Sequence, residues 1–106
     1  MDALLPICLF ELGAIYNEER QDAARARNVW ELGLKNWRER QAVGAEPNLL
    51  VGARLLGQLA TLEVKQTNYP RAVEHLLALK TISPNKPSIQ KWIDEVQAKQ
   101  TSASAP

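Results

Sequence analysis

Residues 12–34 read LGAIYNEERQDAARARNVWELGL, and the placement of small and aromatic residues within them decides the fold. Ala23, Ala26, Trp30, Gly33, Leu34 and Trp37 recur at helical spacing, the pattern of a helix with one buried stripe. Arg27, Glu31, Lys35 and Arg38 take the opposite side. Glu31 and Lys35 are spaced for a surface pair worth only ~0.3–0.5 kcal/mol. A glycine inside a helix costs about 1 kcal/mol against alanine, so Gly13 and Gly33 imply close packing in return. Large side chains at a helix crossing would hold the two rods apart. Gly13, Ala26 and Gly33 remove that bulk, and Tyr16 and Trp30 are expected to fill the space between one hairpin and the next.

Outward from this stretch, everything reads as helix, with no run of alternating β-branched residues. The first helix is predicted at about residues 4–19, with Pro6 in its opening turn, where a missing N–H costs little. Leu5, Leu9, Leu12 and Tyr16 share a face, with Cys8 and Ile15 beside them. The second helix runs from about Asp22 to Gln41, and AVGAEPN at 42–48 is the clearest break. The third, about 48–66, carries Leu50, Val51, Leu55, Leu56, Leu59, Ala60 and Leu62 around most of its circumference, as a central helix does. Asn68 is placed to cap the fourth helix and Pro70 lies just inside it. Tyr69, Ala72, Val73, Leu76, Leu77 and Leu79 form its buried face, and Ser83-Pro84 stops it. The fifth, about 87–99, shows one narrow stripe of Ile89, Trp92, Ile93 and Val96, suited to sealing a core. Residues 100–106, QTSASAP, have nothing to bury and are expected to be a flexible tail.

The opening stretch resembles the tetratricopeptide repeat, a helix–turn–helix unit with the pattern W-x2-L-G-x2-Y…A-x3-F…P. Leu12, Gly13 and Tyr16 fit its L-G-x2-Y portion, and Ala26, Trp30, Gly33 and Leu34 resemble the small–aromatic–small–Leu series of its second helix. The closing proline is absent, with Arg38 after Trp37 instead. A weaker copy spans about residues 53–86, with Leu56, Leu59 and Ala60, then Tyr69, Ala72, Leu76 and Pro84. Glu63 takes the place where an aromatic is usual. The resemblance implies an all-α α-solenoid over residues 1–99, a right-handed stack of antiparallel helical hairpins. Repeat one would span about 5–41, repeat two about 48–84, and a capping helix about 87–99. Such hairpins stack because neither seals its own apolar face.

Composition is ordinary for a soluble domain: 106 residues, 45% hydrophobic and 24% charged. A formal net charge of +1 gives no field that steers the chain to nucleic acid or anionic lipid. Cys8 is the only cysteine, which excludes an internal disulfide, and its apolar neighbours predict a buried, inert thiol. MDALLPICLFELG lacks the positive flank of a secretory signal, and its apolar run is too short to span a bilayer. The expected setting is cytoplasmic, without membrane insertion.

No catalytic, cofactor-binding or metal-ligating set emerges. His75 is the single histidine, so neither a His–His metal pair nor a nucleophile–base triad can be drawn. Glu18, Glu19 and Asp22 are better placed to favour the start of the second helix than to act as paired acid and base. Gly52 and Gly57 lie within a helix and serve packing, since no phosphate-cradling loop surrounds them. The expected role is therefore a non-enzymatic protein–protein interaction or scaffold module with no cofactor.

In the family that the chain resembles, the first helices of successive repeats line a groove that holds a peptide or protein. Arg54, Gln58, Thr61 and Lys65 form one polar stripe on the third helix. The first helix offers Ile7, Glu11, Ala14 and Glu18, with Phe10 and Asn17 on the edge. The expected partner-binding residues are Phe10, Glu11, Asn17, Arg54, Gln58, Thr61 and Lys65. The competing reading pairs Glu11 and Glu18 with Arg54 and Lys65 as solvated ion pairs. The Lys/Asn/Arg clamp that some family members use for a C-terminal carboxylate is not visible. A first alternative is a segment of a larger helical-repeat assembly that contacts neighbours, or itself, through its ends, with Leu4, Leu5 and Ile7 at an unsealed edge. Nucleic-acid binding is the rival from another class, because Arg20, Arg25, Arg27, Lys35, Arg38 and Arg40 crowd the second helix. Acidic residues nearly cancel them there, and Trp30 and Trp37 fall on the buried stripe, away from any base.

Overall fold

The computed structural model describes residues 5–42 and 49–104. These form five helices: α1 Leu5–Glu18, α2 Ala23–Ala42, α3 Leu49–Lys65, α4 Tyr69–Ile82 and α5 Pro87–Ser104. No strand occurs among the described residues, so the chain is all-α. Most of the 42–48 break lies outside them. The chain divides into two compact units, Met1–Leu55 and Leu56–Pro106, and the boundary falls inside α3.

In the first unit α1 packs along α2. Ala26, Trp30, Leu34 and Trp37 of α2 are buried, as their spacing requires, and so are Gly13 and Gly33. The indole of Trp30 lies against the backbone of Gly13 and donates its N–H to the Phe10 carbonyl at 2.9 Å. Trp30 therefore fills space within its own hairpin, which corrects the expectation that it wedges between successive hairpins. A side chain longer than hydrogen at Gly13 would strike the ring. A methyl on Gly33 would come within 3.2 Å of Leu9 Cβ and 3.3 Å of Leu55 Cδ2, and one on Gly52 would strike the Trp37 ring, 2.5 Å from Cζ2. Gly57 differs, since nothing lies within 4 Å of where its Cβ would be. The packing role expected of Gly57 is not there.

The turn into α2 is set by Asp22. Its Oδ1 accepts the Arg25 backbone N–H at 3.1 Å, satisfying one of the donors that a helix N-terminus leaves open. The dipole of α2 favours the same carboxylate.

In the second unit Leu56, Leu59, Ala60, Leu62, Ala72, Leu76, Ile89, Ile93 and Val96 are buried. Glu63, a misfit in the sequence for an aromatic site, is fully buried as well. α4 packs on α5, and Lys80 Nζ, Gln90 and Asp94 link their surfaces in a hydrogen-bonded chain. α3 ends in a Schellman motif: Asn68 N–H bonds to the Glu63 carbonyl at 2.8 Å and Thr67 N–H to the Val64 carbonyl at 3.0 Å. Thr67 occupies the left-handed position, φ 60°, that glycine usually fills. The α1–α2 turn likewise sets a left-handed residue, Gln21 at φ 52°, immediately before an Asx residue that precedes a helix.

Four further expectations are corrected. Asn68 holds the cap position of α4, but its side chain makes no cap hydrogen bond. Leu50 and Leu77 are exposed, because each lies one step round its helix from the residues that face the core. Glu31 and Lys35 form no ion pair among the described residues, as befits side chains that gain little from meeting in water. α5 continues to Ser104, past the expected end at 99, and Thr101 Oγ1 donates to the Gln97 carbonyl at 3.1 Å. No glycine or proline stands between Lys99 and Ser104 to stop it.

Candidate interaction surface

α1 meets α2 through one side only. Pro6 and Gly13 are buried on that side, while Leu9, Phe10, Tyr16 and Asn17 are half-buried around them. Phe10 stacks on Trp30, ring centroids 6.5 Å apart, and Arg25 lies 5.9 Å from the Tyr16 ring centroid while contacting Asp22 at 3.4 Å. The inner face of the helix is fully committed.

Its outer face is not purely polar. Ile7, Leu12 and Ile15 are 37%, 40% and 43% exposed, and Cys8 is exposed with them. This corrects the buried thiol expected from the apolar neighbours of Cys8. Pro6 and Gly13, seven residues apart, face α2, and Cys8, Leu12 and Ile15 come round on the far side of the same rod. Glu11 and Glu18 share that outer surface, both exposed. Neither makes an ion pair among the described residues.

The seven residues expected to bind a partner divide as follows. Glu11, Arg54, Thr61 and Lys65 are exposed, whereas Phe10, Asn17 and Gln58 are half-buried. Phe10 is used in the hairpin through its ring and its carbonyl. Thr61 turns its hydroxyl back onto its own helix, donating to the Gly57 carbonyl at 2.9 Å. Arg54 and Lys65 make no ion pair among the described residues. Arg54 belongs to the first unit and Gln58, Thr61 and Lys65 to the second. Sequence reasoning missed Cys8, Leu12 and Ile15 as surface residues, and the available signal was a helix with carboxylates on one side and no basic residue at all.

Trp30 and Trp37 are 1% and 4% exposed, so neither ring can stack on a base. His75 is half-buried, as expected of a histidine on a helix flank. No cluster of three metal-ligating side chains is found among the described residues, and no helix there is long and apolar enough to cross a membrane. In the second unit an open cleft is lined by Val64, Tyr69, Ala98, Lys99 and Ser102, with a single charged group and no enclosed wall.

Comparison of the chain with protein-family models, with curated proteins and with solved structures gave no match.

Proposed function

We propose that the chain is a non-enzymatic protein–protein interaction module of tetratricopeptide-like hairpins that holds a protein partner on the outer face of its first helix. One observation carries this reading. α1 has spent its inner face on Trp30 and still presents Ile7, Cys8, Leu12 and Ile15 outward, together with two carboxylates that have no ion-pair partner among the described residues. Single exposed apolar residues need no explanation, but a row of them along one helix marks an interaction surface. Contact through this face agrees with a member of a larger assembly better than with capture by Phe10, which is turned toward α2.

Cys8 supplies the test, because it is the only cysteine and it sits in the row. A photo-crosslinker attached to Cys8 is exposed to cell extract. Its counterpart is the same reagent attached to the thiol that Glu74→Cys introduces in a Cys8→Ser background, on the exposed surface of α4. A discrete adduct formed from the Cys8 position alone, and lost in Leu12→Lys/Ile15→Lys, is the expected result. Adducts of the same pattern from both positions would refute the assignment of the face. Leu12 and Ile15 lie on the surface, so circular dichroism of their double variant should stay within the wild-type range.

A further inference from the structure

We infer that the partner element covering α1 is a basic amphipathic helix, an inference that rests on the reading of α1 as the contact face. Between Leu5 and Glu19 the chain carries Glu11, Glu18 and Glu19 and no lysine or arginine. Glu11 and Glu18 are two helical turns apart, about 10 Å along the axis, and therefore lie on one line. By the turn of the helix that line runs between Ile7 on one side and Cys8, Leu12 and Ile15 on the other. The exposed surface is thus an apolar strip with a row of carboxylates set into it, and those carboxylates have no ion-pair partner among the described residues. The nearby cation of Arg25 is engaged with Asp22 and the Tyr16 ring.

A helix laid on this surface meets both features at once. Apolar residues at i, i+4 and i+7 cover Leu12 and Ile15, and lysines or arginines seven apart reach Glu11 and Glu18. An acidic or purely apolar helix would cover the strip only by removing water from two carboxylates without replacing it. A second copy of the chain is disfavoured on the same ground. A two-fold antiparallel pairing of α1 with itself keeps the carboxylate rows on the same side, so that Glu11 and Glu18 repel their own copies. An anionic membrane surface is repelled likewise.

The test uses the full chain and a labelled leucine–lysine amphipathic peptide of about four helical turns, with a leucine–glutamate peptide of the same pattern as its counterpart. Fluorescence anisotropy should show saturable binding of the first and none of the second. Glu11→Lys/Glu18→Lys should weaken binding by at least about tenfold, with circular dichroism unchanged. Glu74→Lys/Glu95→Lys makes the same change in net charge at exposed sites elsewhere and should leave affinity within about twofold. Equal losses in the two double variants, binding of both peptides, or binding of neither overturns the inference. So does self-association at neutral pH that the lysine peptide fails to displace, or partition onto phosphatidylserine vesicles. The Cys8 crosslinking result separates the two levels. A specific adduct from Cys8 with no preference for the basic peptide sinks the basic-helix inference and leaves the contact face standing, whereas adducts without positional specificity sink both.

Discussion

Replacing Gly13 by alanine is the sharpest test of how the first hairpin closes. The added methyl would lie 2.7 Å from Cε2 of Trp30, with Nε1 and Cδ1 closer still. Carbon atoms settle at about 3.5–4.0 Å, so the indole must retreat by roughly 1 Å. Trp30 is 1% exposed, so its retreat presses on packed neighbours and the overpacking costs about 1–3 kcal/mol. The same retreat stretches the 2.9 Å hydrogen bond from the indole N–H to the Phe10 carbonyl. A buried donor that loses its acceptor adds about 1–3 kcal/mol. Against these stands the helix preference for alanine over glycine, about 1 kcal/mol. The net is a destabilisation of about 1–5 kcal/mol, or a Tm lower by roughly 5–25 °C for a domain of this size. Thermal and urea unfolding followed by circular dichroism, with tryptophan emission alongside, would measure it. Trp30→Phe in the Gly13→Ala background should cost less than it does alone, because the smaller ring relieves the clash. A Gly13→Ala protein as stable as wild type, with additive effects in that cycle, would show that the indole does not rest on Gly13.

Two further substitutions probe the backbone. Gly57→Ala should raise stability by up to about 1 kcal/mol, since the methyl meets open space and the helix gains propensity; a loss in urea unfolding would mean that Gly57 is packed after all. Thr67→Gly should also stabilise, by about 1 kcal/mol, because a β-branched residue is strained at φ 60° in the Schellman position. Unfolding midpoints decide it, and a lower midpoint would show that the Thr67 side chain offsets its strain.

The legible parts of the fold were those where polar and apolar residues contrast. α2 alternates a stripe of Ala23, Ala26, Trp30, Gly33, Leu34 and Trp37 with charged residues opposite, and all of that stripe but the half-buried Ala23 are buried. α5 is legible for the same reason: of its stripe Ile89, Ile93 and Val96 are buried and Trp92 is half-buried. α1 offered no such contrast. It is apolar around most of its circumference, so the pattern could not say which side meets α2, and Cys8, Leu12 and Ile15 came out on the far side. The α3–α4 turn hid its motif differently: the left-handed position holds threonine where glycine would have announced it. Of the candidate site, Glu11, Arg54, Thr61 and Lys65 lie exposed. Phe10 was not recognised as a packing residue, because its partner Trp30 is twenty positions away and nothing local links them.

The energetics of α1's outer face favour a charged partner over a merely greasy one. Fully burying a large aliphatic side chain gains about 1.5–3 kcal/mol. Ile7, Leu12 and Ile15 are each about two-fifths exposed, so covering all three yields roughly 2–4 kcal/mol. Association of two free molecules costs about 4–15 kcal/mol in lost freedom before any contact is counted. The apolar strip therefore cannot hold a partner by itself. Desolvating Glu11 and Glu18 against an apolar surface makes matters worse, whereas the same two carboxylates met by cations add attraction and set the register. The feature that makes the strip a poor site for most helices is the feature that would make it selective for one kind.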